Sequence, residues 1–262
     1  MKLSIITINY NNQEGLKNTI ESVVSQTMRD FEWMIIDGGS IDGSKDLIEQ
    51  NKEHLVYWCS EPDKGVYDAM NKGILRAKGE YCLFLNSGDY LLNENVLMDV
   101  FSVTRQKDIL IGWIERIIKG ERVLDKGFNT ADITIRHLLR NSLPHQATFI
   151  KRELFNKYGL YDDSLKIVSD WKFFMQCIIL HDVSIENLCL SVTFYEGGGL
   201  SDYAENGGTT EWHKTLNEFF PRRVIDDFHL MMSLDDVNSV PLTRFLYKGL
   251  YRIAMLLKYK QW

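Results

Sequence analysis

The chain has 262 residues, of which 45% are hydrophobic and 25% are charged, and its formal net charge is -6. This composition excludes a disordered or fibrous protein, and the length suits one large α/β domain or a domain with an appendage. The acidic balance argues against nucleic-acid binding, and no apolar run is long enough to span a bilayer. The four cysteines lie far apart in no C-x-x-C spacing, which favours reduced thiols in a cytosolic protein.

Strand and helix patterns alternate through the first half of the chain. The predicted strands are residues 3–8, 32–36, 55–58 and 81–85. One predicted helix begins after Asn12, which is its predicted cap. Two further predicted helices cover residues 44–53 and 66–77. This alternation predicts an α/β fold, with βαβ units around a mostly parallel central sheet that carries helices on both faces.

The second predicted strand ends at Asp37, directly before the turn D-G-G-S-I-D-G-S. At such a strand end a carboxylate can accept hydrogen bonds from a base or from ribose hydroxyls, and we favour this interpretation for Asp37. The alternative is that Asp37, Ser40 and Asp42 only build the turn and cap the next helix. For Asp42 that alternative is at least as good.

The segment S-E-P-D-K-G-V-Y-D-A-M-N-K-G, residues 60–73, joins a turn to the start of a helix. A diphosphate could use the helix N-terminus beside Asp63, with Lys72 as a cationic partner. The alternative is a plain junction with solvated charges. The strand that follows ends in a turn that presents Asp89, at the sheet edge where open α/β proteins bind ligands.

The pattern is less regular after Asp89. We expect helices at 95–103, 133–140 and 151–157, strands at 109–113 and 146–150, a hairpin or loop at 117–130, and one or two strands within 183–195. His145 is either a substrate contact or a loop histidine bonded to its own backbone. Ser169 is the predicted cap of a further helix, with Asp170 in its first turn beside Trp171. Taken alone, a first-turn aspartate is most often structural.

Two later segments have compositions of their own. The glycine-rich loop 196–210, which contains Ser201, is either a lid over the site or a flexible link. The tail 241–262 has an apolar helical face, five basic residues and no acid. We favour a helix that lies on an anionic membrane surface, and the alternative is a helix packed on the domain or on a dimer partner.

Four motifs in one order resemble those of family 2 glycosyltransferases of the bacterial polysaccharide-biosynthesis type. They are T-I-N-Y-N, I-I-D-G-G-S-x-D-G-S, S-E-P-D-x-G-x-Y-D-A-M-N-K-G and F-L-N-S-G-D. The resemblance is dense over about the first 90 residues and continues more loosely to about residue 200. It implies the GT-A fold and inversion at the anomeric carbon of the transferred sugar.

The resemblance also implies roles for individual residues. Asp170 matches the general base, Asp37 the nucleoside contact, and Asp89 the ligand of a Mn²⁺ or Mg²⁺ ion, although Ser87 stands where the first aspartate of the family's D-x-D motif is usual. The donor nucleotide contacts would be Thr7, Asn9, Asn11, Asp37, Ser40, Asp63, Lys72 and Ser87. Further contacts to the acceptor or the diphosphate would come from His145, Trp171 and Ser201.

We therefore expect a GT-A domain at 1–205, with a nucleotide-binding half at 1–105 and an acceptor half at 106–205. A C-terminal helical region would follow at 206–262. The expected enzyme is metal-dependent and hexosyltransferase-type, and transfers a sugar from a nucleoside diphosphate donor, with a UDP-sugar favoured. The acceptor would be a hydroxyl of a glycan or lipid-linked glycan in cell-surface polysaccharide synthesis. The protein would be cytoplasmic and peripheral on the inner face of the cell membrane, with a homodimer as a further expectation.

Two other functions remain open. A non-catalytic protein that binds nucleotide sugars or acts as a membrane scaffold would explain both Ser87 and the basic tail. A sugar nucleotidyltransferase fits less well, because residues 9–13 occupy the place of its glycine- and arginine-rich phosphate loop.

Overall fold

Strands and helices alternate along the first part of the chain. The structure, a computed structural model, describes residues 1–128, 133–197 and 208–239. The first elements are β1 (Leu3–Asn9), α1 (Gln13–Val24), β2 (Phe31–Asp37), α2 (Ser44–Gln50), β3 (Tyr57–Ser60), α3 (Val66–Ile74), β4 (Tyr81–Phe84), β5 (Tyr90–Leu91) and α4 (Val96–Phe101). Apart from the two-residue strand β5, which was not predicted, they follow the predicted order with ends that differ by a few residues.

The later described elements include a hairpin and several short helices. They are β6 (Ile109–Ile118), β7 (Glu121–Asp125), α5 (Ile135–Leu138), β8 (Thr148–Lys151), α6 (Arg152–Tyr158), α7 (Ser169–Phe174), β9 (Ile185–Tyr195), α8 (Thr209–Phe219) and α9 (Arg222–Ser239). A 3₁₀ turn at His145–Ala147 precedes β8. The strand β6 runs five residues beyond the predicted end at 113, because its second half pairs with β7.

The described strands form one sheet, in the order β3-β2-β1-β4-β8-β6-β9-β5, with β7 beside β6. The strands β3, β2, β1 and β4 are parallel, so their carboxyl ends meet at one edge. At that edge Asn9, Asp37 and Ser60 are partners in register. Beyond β4 the sheet is mixed, since β8 is antiparallel to both of its neighbours while β9 is parallel to β6.

Helices cover both faces of the parallel strands. On one face, Leu3 and Ile5 of β1 belong to the same core cluster as Leu16 and Ile20 of α1. On the other face, α3 approaches β1 so closely that a methyl group added to Gly73 would come within 2.4 Å of Ile6 Cγ2. Each fully buried aliphatic side chain of this kind contributes about 1.5–3 kcal/mol.

Helix α3 also contacts the segment that leads to α7. Asn71 Nδ2 donates to Tyr161 O at 2.8 Å, and Asn71 Oδ1 accepts from Tyr161 N at 3.0 Å. The ring of Tyr161 packs against Phe84 and Phe155 with centroids 5.4 Å away. The chain around residue 161 is therefore fixed to the parallel half of the sheet.

The chain divides into two units, residues 1–211 and 212–262. In the second unit, α9 carries His229, whose ring stacks on His213 of α8 at 5.7 Å between centroids. No helix among the described residues has both the length and the apolar character needed to cross a membrane. The predicted domain boundary at 205 and the tail 241–262 lie outside the described residues.

Candidate active site

The turn after β4 brings Asp89 into the interior. The N–H of Asp89 donates to Asn86 O at 2.9 Å, and Gly88 adopts a φ of 104°, which a residue without a Cβ reaches at little cost. Thr19 of α1 holds the turn, because its hydroxyl donates to Asp89 O at 2.7 Å and accepts from Gly88 N at 3.1 Å. Only 5% of Asp89 is exposed.

The electrostatic environment of Asp89 favours a positive partner. Burial, opposed by the charge of His145 and assisted by the charge of Glu196, raises its pKa from 3.8 to about 7. Protonated and ionised forms of Asp89 therefore coexist near neutral pH when no cation is near.

A second carboxylate lies beside this turn. Glu196 is the first residue after β9, and a methyl group added to Gly88 would come within 2.8 Å of its Oε2. The sequence analysis missed Glu196. Its position between a strand and a glycine-rich loop was the available indication, but pairing it with Asp89 requires knowing that β9 lies next to β5.

Asp37 is the centre of a hydrogen-bonded cluster at the ends of β1, β2 and β3. The fully buried carboxylate accepts from Asn9 Nδ2 at 2.7 Å, from the hydroxyls of Ser40 and Ser60 at 2.5 and 2.6 Å, and from the backbone N–H groups of Gly39 and Ser40. Burial alone would raise the pKa of Asp37, but the bonds from Ser40, Ser60 and Asn9 outweigh it and hold the pKa below 3.8.

The same cluster includes Asn11, another predicted contact to the donor nucleotide. The N–H of Asn11 donates to Ser40 Oγ at 2.8 Å, and Asn11 Oδ1 accepts from Ile41 N at 2.9 Å. The structure thus brings Asn9, Asn11, Asp37 and Ser40 together. Asp42 builds the same turn, since it accepts from Ser44 and from Gln13 N, but Gly43 and not Asp42 occupies the cap position of α2.

Asp63 lies close to Gly38 in the turn after β2, whereas Lys72 is paired with two carboxylates. Asp63 Oδ2 would lie 2.7 Å from a methyl group on Gly38, and burial raises the pKa of Asp63 although Gly65 N–H and Lys72 oppose the rise. The Lys72 ammonium lies 3.2 Å from Glu61 and 3.5 Å from Asp68. It already has two carboxylate partners, so a diphosphate would have to compete with them.

Asp170 lies in the first turn of α7 and is held through both carboxylate oxygens. Tyr67 Oη of α3 lies 2.9 Å from Oδ1 and 2.6 Å from Ile167 O. His145 Nδ1 lies 3.4 Å from Oδ2, and the side chain of Asp170 is 13% exposed. Burial, followed by the charge of Asp170, raises the pKa of Tyr67 well above 10, so the phenol stays a donor.

His145 connects Asp170 to the turn that carries Asp89. His145 Nε2 lies 3.2 Å from Asn86 Nδ2, and Asn86 begins that turn. Burial lowers the pKa of His145, but the hydrogen bond and charge of Asp170 and the charge of Asp89 raise it above 6.5. These two side-chain contacts replace the backbone bond that was one of the two alternatives for His145, and its substrate contact stays a prediction.

The predicted cap of α7 is wrong. Val168 occupies the cap position, Ser169 is the first helical residue, and the buried hydroxyl of Ser169 has no hydrogen-bond partner. The carboxylate of Glu211 instead accepts from the N–H groups of Lys166, Ile167 and Val168 at 2.8, 2.9 and 3.3 Å. Sequence periodicity could not identify a carboxylate that binds this segment from so far along the chain.

The remaining predicted contacts are placed as follows. Thr7 is fully buried, and its hydroxyl accepts from Trp33 Nε1 at 3.0 Å. Trp171 is 4% exposed and its indole N–H donates to Leu138 O of α5 at 2.5 Å. Ser87 O accepts from Asn12 Nδ2 at 3.0 Å, beside Asp89. Ser201 lies outside the described residues. The ligand contacts assigned to these residues stay predictions.

Comparisons with known proteins agree on one family. The family model described as "Glycosyl transferase family 2" matches residues 4–159. The Uncharacterized glycosyltransferase Rv1514c of Mycobacterium tuberculosis is 33% identical over 185 residues, covering 68% of this chain and 69% of the relative. The PGL/p-HBAD biosynthesis glycosyltransferase Rv2957 of the same organism is 31% identical over 206 residues, covering 76% of this chain and 78% of the relative.

Solved structures share the fold. S. aureus TarS 1-349 in complex with UDP-GlcNAc has a TM-score of 0.64 and 20% identity, over 80% of this chain and 61% of that chain. The Mannosyltransferase PcManGT from Pyrobaculum calidifontis in complex with GDP-Man and Mn²⁺ has a TM-score of 0.57 and 13% identity, over 100% of this chain and 82% of that chain. This chain thus spans about three fifths of the TarS fragment. The likeness confirms the predicted GT-A-like α/β fold class. Because the family model covers more than half of the chain, the protein belongs to glycosyl transferase family 2.

Proposed function

We propose that the protein is an inverting, hexosyltransferase-type enzyme that moves a sugar from a nucleoside diphosphate donor to a hydroxyl of a glycan or lipid-linked glycan. The observation that carries this proposal is the Asp170 carboxylate, held through one oxygen by Tyr67 and through the other by His145. Each oxygen keeps a further lone pair, so the fixed carboxylate can accept a proton from an incoming hydroxyl.

The reaction is a single displacement. Asp170 removes the proton of the acceptor hydroxyl while the acceptor oxygen forms a bond to the anomeric carbon. The bond from that carbon to the diphosphate breaks, and its electron pair leaves with the diphosphate. Attack from the face opposite to the leaving group inverts the configuration.

A Mn²⁺ or Mg²⁺ ion belongs to the proposal. Among the described residues there is no group of three or more His, Cys, Asp or Glu side chains that could hold a metal. The pair Asp89 and Glu196 nevertheless fits such an ion, because hard cations take carboxylate oxygens together with phosphate oxygens of the substrate. When bound, the ion would stabilise negative charge on the leaving diphosphate. The Mn²⁺ in the PcManGT structure supports this part of the proposal.

The donor would lie along the edge formed by the ends of β1, β2 and β4. The cluster of Asn9, Asn11, Asp37 and Ser40 would shape the nucleoside end, with Asp63 and Lys72 nearby. The UDP-GlcNAc complex of TarS supports a UDP-sugar, and the GDP-Man complex of PcManGT makes GDP-sugars the alternative to test.

The names of two relatives support the proposed class of acceptor. One relative is named for PGL/p-HBAD biosynthesis, and another, over 45% of this chain, is the Poly(ribitol-phosphate) beta-glucosyltransferase of Bacillus spizizenii. Both names suit an acceptor in glycolipid or cell-surface polymer synthesis. We place the enzyme on the cytoplasmic face of the cell membrane, with residues 241–262 as the membrane-binding tail and a homodimer as its assembly.

The test uses the full chain with UDP-Glc, UDP-GlcNAc, UDP-Gal and GDP-Man, with and without Mn²⁺. Thermal shift identifies the donors that bind, and release of nucleoside diphosphate in the presence of a panel of glycoside acceptors identifies turnover. Asp170→Asn should abolish transfer and leave donor binding nearly intact, because the amide cannot accept the proton. Asp46→Asn changes another first-turn aspartate, on α2, and should leave transfer unchanged.

Two outcomes would contradict the proposal. Full transfer by Asp170→Asn would remove this residue as the base. Donor binding without release of nucleoside diphosphate under any condition would favour the non-catalytic nucleotide-sugar-binding protein instead.

A further inference from the structure

We propose that His145 and Tyr67 are positioning residues that hold the two oxygens of the Asp170 carboxylate in the orientation needed to receive the acceptor proton. This inference rests on the proposed role of Asp170 as base. It concerns residues that act through Asp170 and do not themselves touch the substrate.

Each oxygen of the Asp170 carboxylate is contacted by a different side chain. Tyr67 Oη approaches Oδ1 at 2.9 Å and shares its one proton between Oδ1 and Ile167 O, which lies closer at 2.6 Å. His145 Nδ1 approaches Oδ2 at 3.4 Å. Rotation of the carboxylate about its Cβ–Cγ bond would lose both contacts. One lone pair on each oxygen is left for the substrate.

Tyr67 and His145 are themselves held by further contacts. Tyr67 Oη also lies 2.6 Å from Ile167 O, which anchors the phenol to the chain just before α7. His145 has Asn86 on its other ring nitrogen, at 3.2 Å. Asn86 Oδ1 is buried and has no hydrogen-bond partner, so rotation of this amide by half a turn would offer an acceptor to Nε2. Asn86 can therefore support the imidazole in its neutral and in its protonated form.

Asp170 acts electrostatically on three titratable groups: Tyr67 from α3, His145 from the turn before β8, and Tyr161 from the segment before α7. The charge of Asp89 also acts on His145. The ring of His145 thus interacts with both the proposed base and the proposed metal ligand.

The experiment compares two substitutions of one histidine. The side-chain nitrogen of Asn takes about the place of His Nδ1, and that of Gln takes about the place of Nε2. His145→Asn keeps the donor to Asp170, and His145→Gln keeps the contact with Asn86 but loses that donor. We expect kcat for transfer to stay near wild type in His145→Asn and to fall about 10- to 100-fold in His145→Gln, with an unchanged KM for the donor.

Tyr67→Phe tests the other oxygen and preserves the buried ring. Its kcat should fall with donor KM unchanged, because the carboxylate loses a contact that fixes its orientation. His181→Asn changes a histidine that stacks on Tyr158 at 4.3 Å, and serves as the control that should keep wild-type kinetics.

The outcomes separate this inference from the proposed function. If Asp170→Asn is inactive but His145→Gln and His145→Asn have equal kcat, the positioning role is wrong and Asp170 can remain the base. If the losses in kcat only follow losses in melting temperature and donor affinity, the two residues are merely structural. If Asp170→Asn is fully active, the proposed base itself is wrong.

Discussion

Asn9 and Asp37 are register partners at the carboxyl ends of β1 and β2, and Asn9 Nδ2 donates to Asp37 Oδ1 at 2.7 Å. The bond joins the first two strands at the edge where we place the donor. It is one of five that the buried Asp37 carboxylate accepts. The aspartate therefore organises this edge whether or not a nucleotide is bound.

We predict that Asp37→Asn destabilises the protein without ligand by about 1–3 kcal/mol at pH 7, because an amide group would face donors in place of an acceptor. The folded-state pKa of Asp37 is lowered, so its contribution to stability is present above the unfolded value of 3.8 and is lost as pH falls through the lower folded value. Urea unfolding should show the difference between wild type and variant shrinking below pH 4. Asp30→Asn, which removes an exposed pair with the N-terminal amine, should change stability by less than about 1 kcal/mol.

The effect of Asp89 on stability should have the opposite pH dependence to that of Asp37. Its folded pKa of about 7 lies above the unfolded value of 3.8, so ionising Asp89 costs folding free energy as pH rises between these values. Without divalent cation, Asp89→Asn should therefore be more stable than wild type above pH 7, by an amount on the order of a few kcal/mol. Urea unfolding with a chelator at several pH values measures this gain. A variant less stable than wild type at pH 8 would contradict the burial of an ionisable group here, and the exposed Asp99→Asn is the control.

Glu196→Gln tests the second carboxylate. Removing one negative oxygen ligand should weaken Mn²⁺ binding at least about 10-fold, because affinity follows the charge of the ligand set. The pKa of Asp89 should also fall, since the charge of Glu196 raises it. Electron paramagnetic resonance of free Mn²⁺ gives the affinity without any turnover. Equal affinities for wild type and variant would remove Glu196 from the site, and Glu121→Gln on the exposed hairpin is the matched control.

Glu211 should stabilise the segment at the start of α7 without contacting a substrate. Its carboxylate accepts from three consecutive N–H groups ahead of the helix, and Glu211→Gln puts an amide donor against at least one of them. We expect a loss of about 1–2 kcal/mol in the free energy of unfolding and faster amide hydrogen exchange at residues 166–170. Glu153→Gln on α6 should show neither change. Unaltered exchange in Glu211→Gln would mean that the helix start is held by other contacts.

The parallel half of the sheet could be predicted because the residues that determine each strand are close together in the sequence. The runs that become β1, β2 and β4 are buried along their length, and a continuous apolar run bounded by turn residues predicts such a strand. The cap at Asn12 is confirmed, since its Oδ1 accepts from Gly15 N at 3.1 Å. A cap acts within one turn, so its partner is given by the sequence itself.

The contacts that define the candidate base could not be predicted in this way. Asp170 was placed in a first helical turn, but its neighbours Tyr67 and His145 come from other elements. Ser169 suits a cap by residue type, yet Val168 occupies the cap position and Glu211 binds the N–H groups ahead of the helix. Periodicity shows which face a residue occupies, but it does not show which distant segment lies against that face.

Helix α3 links the donor side of the protein to the candidate base. Through Tyr67 it holds the Asp170 carboxylate, and through Asn71 it holds the backbone at Tyr161. Part of the support for Asp170 therefore comes from the half of the chain where we place the nucleotide, and the rest comes from His145 in the later half. A redesign of the later half for a new acceptor has to keep His145, because Tyr67 contacts only one oxygen of the carboxylate.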